Sequence, residues 1–161
     1  MVILEVATKK KREAVIEPVA SEDIKRLTIK RYFFKWKDEV GRTDLYKLKL
    51  LDDDDIKGVM AVIHHPAESR IQIKLLTASK ENVILEKEKG KKVKEYEQIA
   101  ACFIAFACRI ALTNYGVKAC VSLLPKTDLK HLYMKKYGMM DAGLQVFLEE
   151  QPLNDLIIKY I

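Results

Sequence analysis

The chain has 161 residues, 49% of them hydrophobic and 32% charged, with 6 glycines and 4 prolines. That length supports a core burying roughly two-thirds of the unfolded surface, and the composition excludes disordered, collagenous and low-complexity classes. Lys and Arg number 29 against 23 Asp and Glu, a net charge of +6 that suits an anionic small ligand, while the mixture of signs does not demand nucleic acid.

The N-terminus, Met1-Val-Ile-Leu-Glu5, lacks the basic start and long apolar run of a secretory signal, so a cytoplasmic location is expected. Cys102, Cys108 and Cys120 form no C-x-x-C and read as reduced, buried thiols rather than a disulfide framework or a metal site. One domain over residues 1–161 is expected, with 1–13 as a flexible lead carrying the basic run Lys9 to Arg12.

In chain order, Ala14 to Pro18 predicts a short strand stopped by proline, and Ser21 to Leu27 a short helix with Ser21 as its cap. The alternation through Tyr32-Phe-Phe-Lys-Trp36 reads as a strand, with Trp36 serving the core in preference to ligand stacking. Leu45 to Leu51, a four-Asp turn and Ile56 to Ile63 form a hairpin signal. Ile71 to Leu76 extends it to an antiparallel meander after the break at His64-His65-Pro66. From Gln98 to Thr113 apolar residues recur at helical spacing with alanine on the other faces, which predicts a helix buried on most sides. Its longest unbroken apolar run, Ile99 to Cys108, is 10 residues, about half of the ~20 needed to span a bilayer, so no membrane role is expected.

Gly116 ends that helix and Ala119 to Leu124 supplies a strand parallel to the last meander strand, a β–α–β crossover. Thr127 caps a helix that carries Leu129, Leu132, Tyr133 and Tyr137 and stops at Gly138. Leu144 to Leu148 is a last strand, offering an edge for a homodimer, and a helix from Leu153 to Tyr160 closes the chain. The expected fold is α+β, a mixed and mostly antiparallel sheet with helices on both faces.

The order of elements, together with Tyr133-Met-Lys-Lys-Tyr-Gly138-Met139 and the Ala100 to Arg109 helix followed by Val121 to Thr127, resembles the GNAT superfamily of acyl-CoA-dependent N-acyltransferases. The helix and strand are similar to those of a small bacterial branch with an Ala-Phe-Ala-Cys helix, and the resemblance covers about residues 30–161. The resemblance implies acetyl-CoA as co-substrate, bound where the sheet opens between the last meander strand and Ala119 to Leu124. It also implies a small-molecule or protein amine as acceptor. The family's [RQ]-x-x-G-x-[GA] pyrophosphate loop would fall on Glu95-Tyr-Glu-Gln98-Ile-Ala100, where only the final small residue matches. Tyr96, Gln98, Ile99, Ala100 and Ala101 are then the cofactor-binding residues, with Lys126 as a further contact. The free N–H groups at the helix start would face the phosphates. A shifted placement over Lys87 to Lys92 restores the glycine, at Gly90.

The resemblance also implies chemical roles. Backbone N–H groups at Leu75 or Leu76 would polarise the thioester, and Tyr133 would protonate the departing thiolate. A base is sought near the meander, where Glu68 and His65 are the candidates, acting through water. Tyr133 also fits an apolar core stripe, and the turn histidines fit a solvated break, so both readings stand at this point. Three functions remain, in this order: an N-acetyltransferase working by direct attack on acetyl-CoA, a GNAT-fold binding or regulatory module without catalysis, and last a nucleic-acid-binding accessory protein suggested by the net charge of +6.

Overall fold

The computed structural model describes residues 1–83, 90 and 93–161, without the side chain of Thr127. Among the described residues, nine strands and four α-helices follow one another. β1 (Val2–Glu5), β2 (Lys10–Pro18), α1 (Ile29–Tyr32), β3 (Asp44–Leu50), β4 (Asp53–His65) and β5 (Arg70–Ala78) precede β6 (Tyr96–Glu97). Then come α2 (Ile99–Tyr115), β7 (Cys120–Leu123), α3 (Lys130–Tyr137), β8 (Met140–Ala142), β9 (Gln145–Glu149) and α4 (Glu150–Tyr160). The hydrogen-bonded strand order is β6-β1-β2-β3-β4-β5-β7-β9-β8. β5 pairs in parallel with β7, as the crossover predicts, and β9 pairs antiparallel with β7.

The chain divides into two compact units, Met1–Ala61 with Leu75–Phe103, and Val62–Lys74 with Ile104–Ile161. In the first, β2 and β3 place Ala14 opposite Leu50 and Ile16 opposite Leu48, so all four apolar side chains share one buried face. A cluster of Leu27, Tyr32, Trp36, Ile56, Val59 and Ala61 forms its core, with Leu75 packed against it.

Trp36 is fully buried, in agreement with the core role, but the segment is not a strand. Tyr32 ends α1, Phe33 closes it in the left-handed region at φ 70°, and Trp36 opens a 3-10 turn, Trp36–Glu39. Trp36 Nε1 donates to Tyr32 O at 3.1 Å and the Tyr32 hydroxyl donates to Ile56 O at 2.7 Å. Those bonds satisfy the polar atoms that such large side chains carry inward.

Residues 1–13 are also not a loose lead. β1 pairs with β2 over Val2↔Glu13 to Glu5↔Lys10, turning at Lys9 with φ 56°. Arg12 ties the hairpin by donating to Glu5 at 3.1 Å and to Asp52 at 2.8 Å. The four aspartates do not all turn the chain. Asp53, Asp54 and Asp55 lie within β4, each carboxylate held by a cation: Lys57, Lys49 and Arg31.

In the second unit the alternation of β5, β7 and β9 turns Ile71, Ile73, Val121, Leu123, Val146 and Leu148 inward, all nearly or fully buried. Leu153 and Leu156 of α4 join the core. α3 ends at Gly138 with φ 69°, the left-handed closing residue expected there. β8, a three-residue exposed strand with no alternating signature, takes the sheet edge expected of Leu144 to Leu148, since β9 is paired on both sides, with β7 and with β8.

Candidate functional site

The N-terminus of α2 carries the geometry closest to the expected cofactor loop. The helix begins with Cys102 N–H donating to Gln98 O at 2.9 Å, so the N–H groups of Ile99, Ala100 and Ala101 precede the first intrahelical bond. Gln98 has φ 75°, the left-handed region that glycine enters freely and other residues enter at a cost of roughly 1–2 kcal/mol. Gln98, at the position where the expected loop would have a glycine, thus holds a backbone shape that glycine adopts freely while carrying a side chain. Gln98 and Glu97 are exposed, Ala100 half-buried and Ile99 buried.

The start of α2 sits directly on β4. An ideal Cβ on Gly58 would lie 2.8 Å from Ile99 Cγ2, 2.9 Å from Phe103 Cε2 and 2.9 Å from Thr77 O. Only a bare backbone allows that approach. A glycine inside a strand pattern is the signal by which sequence reading could have found this contact.

Beside it lies Lys57, whose side chain is only 6% exposed. Its Nζ is 3.1 Å from Asp53, 3.0 Å from Asp55 and 3.9 Å from Glu95, and it stands 5.3 Å from the Tyr96 ring centroid. Burial works against the charge, but the Asp55 and Asp53 carboxylates outweigh it and hold the ammonium above the ordinary lysine value. Asp55 also takes both guanidinium nitrogens of Arg31 at 2.6 and 2.7 Å; that hydrogen bonding outweighs burial and holds its carboxyl down to about 2. Arg31 further contacts Glu81 at 3.2 Å. Sequence reading missed this network because its members come from four separate segments, at Arg31, Asp53 to Lys57, Glu81 and Glu95 to Tyr96.

Two amides of the turn before α2 have acceptors within the protein. Glu95 N–H donates to Glu81 O at 3.1 Å and Tyr96 N–H to Asn82 Oδ1 at 2.7 Å. Those two N–H groups already have acceptors within the protein, which leaves the first-turn groups of α2 as the donors open to an anion. Leu75 and Leu76 lie toward the end of β5, beyond Ile73↔Leu123, the last β5–β7 pair. The shifted placement over Lys87 to Lys92 lies, apart from Gly90, outside the described residues.

In the second unit the structure gathers His65, Glu68, Arg70 and Gln72 at the β4–β5 hairpin. His65 Nε2 donates to Gln72 Oε1 at 2.7 Å, and Arg70 donates to Glu68 at 2.7 Å and to Ser122 Oγ at 2.7 Å. The Arg70 hydrogen bond holds the Glu68 carboxyl below its usual range. This cluster adjoins the start of β7, whose Cys120 pairs with Arg70, whereas α3 follows from the other end of β7.

On α3, Tyr133 is half-buried, with its ring centroid 5.7 Å from that of Tyr137. Burial pushes its phenol above the ordinary value, so it holds its proton at neutral pH. Its hydroxyl has no hydrogen-bond partner among the described residues, and no buried side-chain oxygen lacks one. The group is therefore a protonated, unengaged donor in contact with solvent. Leu132 is 51% exposed, so the stripe expected on α3 is narrower than the spacing suggests. Lys126 is exposed, its carbonyl accepting from Leu129 N–H at 2.8 Å. Burial raises the Cys102 and Cys108 thiols to about 11 and about 12, which disqualifies them as ready nucleophiles.

An antiparallel meander, a helix whose N-terminus follows the meander, a parallel return strand and a C-terminal hairpin define an α+β crossover architecture that is shared with solved acyltransferases. The chain has the GNAT fold. Over 86% of its length it superposes on the whole of an IAA acetyltransferase from Bacillus cereus, with a TM-score of 0.52 and 16% identity. Over 88% it superposes on 98% of the spermidine N-acetyltransferase from Vibrio cholerae in complex with CoA and spermine, with a TM-score of 0.56 and 9% identity. Over 92% it superposes on 93% of FdhC, a nucleotide-linked sugar GNAT, with a TM-score of 0.59 and 9% identity. No protein-family model matches the sequence, and no curated protein matches it.

Proposed function

We propose that the protein is an N-acetyltransferase that moves the acetyl group of acetyl-CoA to a primary amine by direct attack. The observation that carries this reading is the left-handed backbone of Gln98 at the opening of α2, a strained conformation at the position where the resemblance would put the phosphate-loop glycine. A CoA-bound neighbour of the same fold, which also holds spermine, supports an amine acceptor.

In this reading Ile99, Ala100 and Ala101 present their N–H groups and the positive end of α2 to the diphosphate. Tyr96 and Gln98 shape that turn, and Lys126 adds a cation. The N–H groups at Leu75 and Leu76 polarise the thioester carbonyl. The amine nitrogen bonds to the carbonyl carbon, the carbon–sulfur bond breaks, and the thiolate takes the Tyr133 proton while the amine's proton passes to water. His65 and Glu68 are already bonded to Gln72 and Arg70, so in this scheme they accept that proton only through solvent.

A second reading, a GNAT-fold binding module without catalysis, is favoured by a separate observation. The Glu95 and Tyr96 N–H groups have internal acceptors and the Glu95 and Glu97 side chains stand exposed beside the anion's expected place. Acetyl transfer to a panel of polyamines and small primary amines, with Tyr133→Phe in parallel, separates the two. The enzyme reading predicts turnover that falls roughly a hundredfold in Tyr133→Phe with acetyl-CoA affinity unchanged. Cofactor binding with no turnover on any amine would favour the module.

A further inference from the structure

We propose that the N-terminal strand β1 is a clamp on the turn that opens α2, with Glu5 and Val6 as positioning residues for the anion-binding amides. This rests on the reading of that turn as the cofactor loop. β6 is two residues long, too short to hold a conformation by itself, and it leads directly into the left-handed Gln98. Its geometry must therefore be imposed by neighbours.

β1 imposes it along the whole turn. Val6 N–H donates to Glu95 O at 3.0 Å, and the ladder continues through Glu5↔Tyr96 and Leu4↔Glu97. The Tyr96 hydroxyl reaches Glu5 at 3.4 Å, and the Cys102 thiol reaches Val2 O at 3.6 Å, which carries the contact into the first turn of α2. Glu5 is itself fixed, since its carboxylate accepts from Thr8 and from Arg12, and the Thr8 hydrogen bond and Arg12 charge hold it below the usual carboxylate range despite opposing desolvation.

The other side of the turn is held by Asn82, which accepts from Tyr96 N–H and donates to Ser79 Oγ at 2.7 Å, and by Lys57 against Glu95 and Tyr96. With β1 in place the turn is gripped from two sides and Gln98 stays left-handed. Without β1 one grip is gone, the strained residue relaxes, and the N–H groups of Ile99 to Ala101 lose their common direction. No atom of β1 has to touch the ligand for this to hold. The basic N-terminal run is thus a working part of the fold, since Lys10 to Arg12 form the strand that backs β1.

The test is amide hydrogen exchange together with acetyl-CoA titration on three variants. Val6→Pro removes the donor to Glu95, Tyr96→Phe removes the hydroxyl contact to Glu5, and Ile16→Ala destabilises the same unit away from the turn. The clamp predicts exchange at Ile99 to Phe103 roughly tenfold faster in Val6→Pro, with a smaller rise in Tyr96→Phe, and acetyl-CoA affinity falling in the same order. Ile16→Ala, matched for loss of thermal stability, should raise exchange uniformly without singling out that segment. Unchanged relative exchange at Ile99 to Phe103 in both turn variants would overturn the proposal. A selective exchange response in a wild-type protein that binds no acetyl-CoA would support the clamp and reject the acyltransferase reading, so the two failures are distinguishable.

Discussion

Replacing Gly58 with alanine puts a methyl group where three atoms already stand within 3 Å, two of them side-chain carbons on buried residues of α2 and the third the Thr77 carbonyl oxygen. The carbonyl belongs to strand backbone and yields least, so the helix start must lift. Overpacking of this kind costs about 1–3 kcal/mol, and the stiffer unfolded chain of alanine returns about 0.4–1 kcal/mol. The expected net loss is about 1.5 kcal/mol, a fall in Tm of about 3–6 °C for a chain of this size. Thermal and urea denaturation measure it, and a double-mutant cycle with Ile99→Ala, which removes the carbon at 2.8 Å, identifies its source. The pair should show a coupling of about 0.5 kcal/mol or more that favours the double variant. A Gly58→Ala protein as stable as wild type, or a cycle with no coupling, would refute the idea that α2 is seated on bare backbone.

Gln98→Gly should stabilise the fold by about 0.5–1 kcal/mol, since it relieves the left-handed strain and removes an exposed side chain; the same denaturation series checks it, and a loss above 1 kcal/mol would contradict the conformation described. Asp55 titrates near 2 when folded, below its unfolded value, so its contribution is present above about pH 4 and is lost as pH falls through 2. Stability followed from pH 5 to 2 should therefore decline less steeply in Asp55→Asn, which starts from a lower value because Arg31 and Lys57 lose their shared partner.

Much of the fold was legible because its signals are local. α2 is apolar around most of its circumference, and β5 and β7 alternate cleanly, so the crossover could be read from residues close in sequence. Trp36 misled because an alternating aromatic run also fits two short helical turns with rings four residues apart, and only the Ile56 carbonyl and its surrounding core decide between them. The N-terminal hairpin escaped because β1 is four residues followed by a basic run, and its partner β6 lies about ninety positions away.

The proposed site is open to sequence reading where a residue type would carry the chemistry, as with Tyr133, and closed to it where geometry would. Gln98 looks like a departure from the loop pattern until its φ is known. Lys57, Glu5 and Asn82 have no motif at all and matter through what the fold places beside them.

The most direct test of the functional account is calorimetric titration of the protein with acetyl-CoA and CoA, with ATP as control. The account predicts affinities on the order of micromolar for both acetyl-CoA and CoA and none for ATP at the same concentrations. No heat from either cofactor up to millimolar concentration would contradict it, because the N–H groups at the start of α2 would then hold no diphosphate and the acyl donor would have no place in this protein.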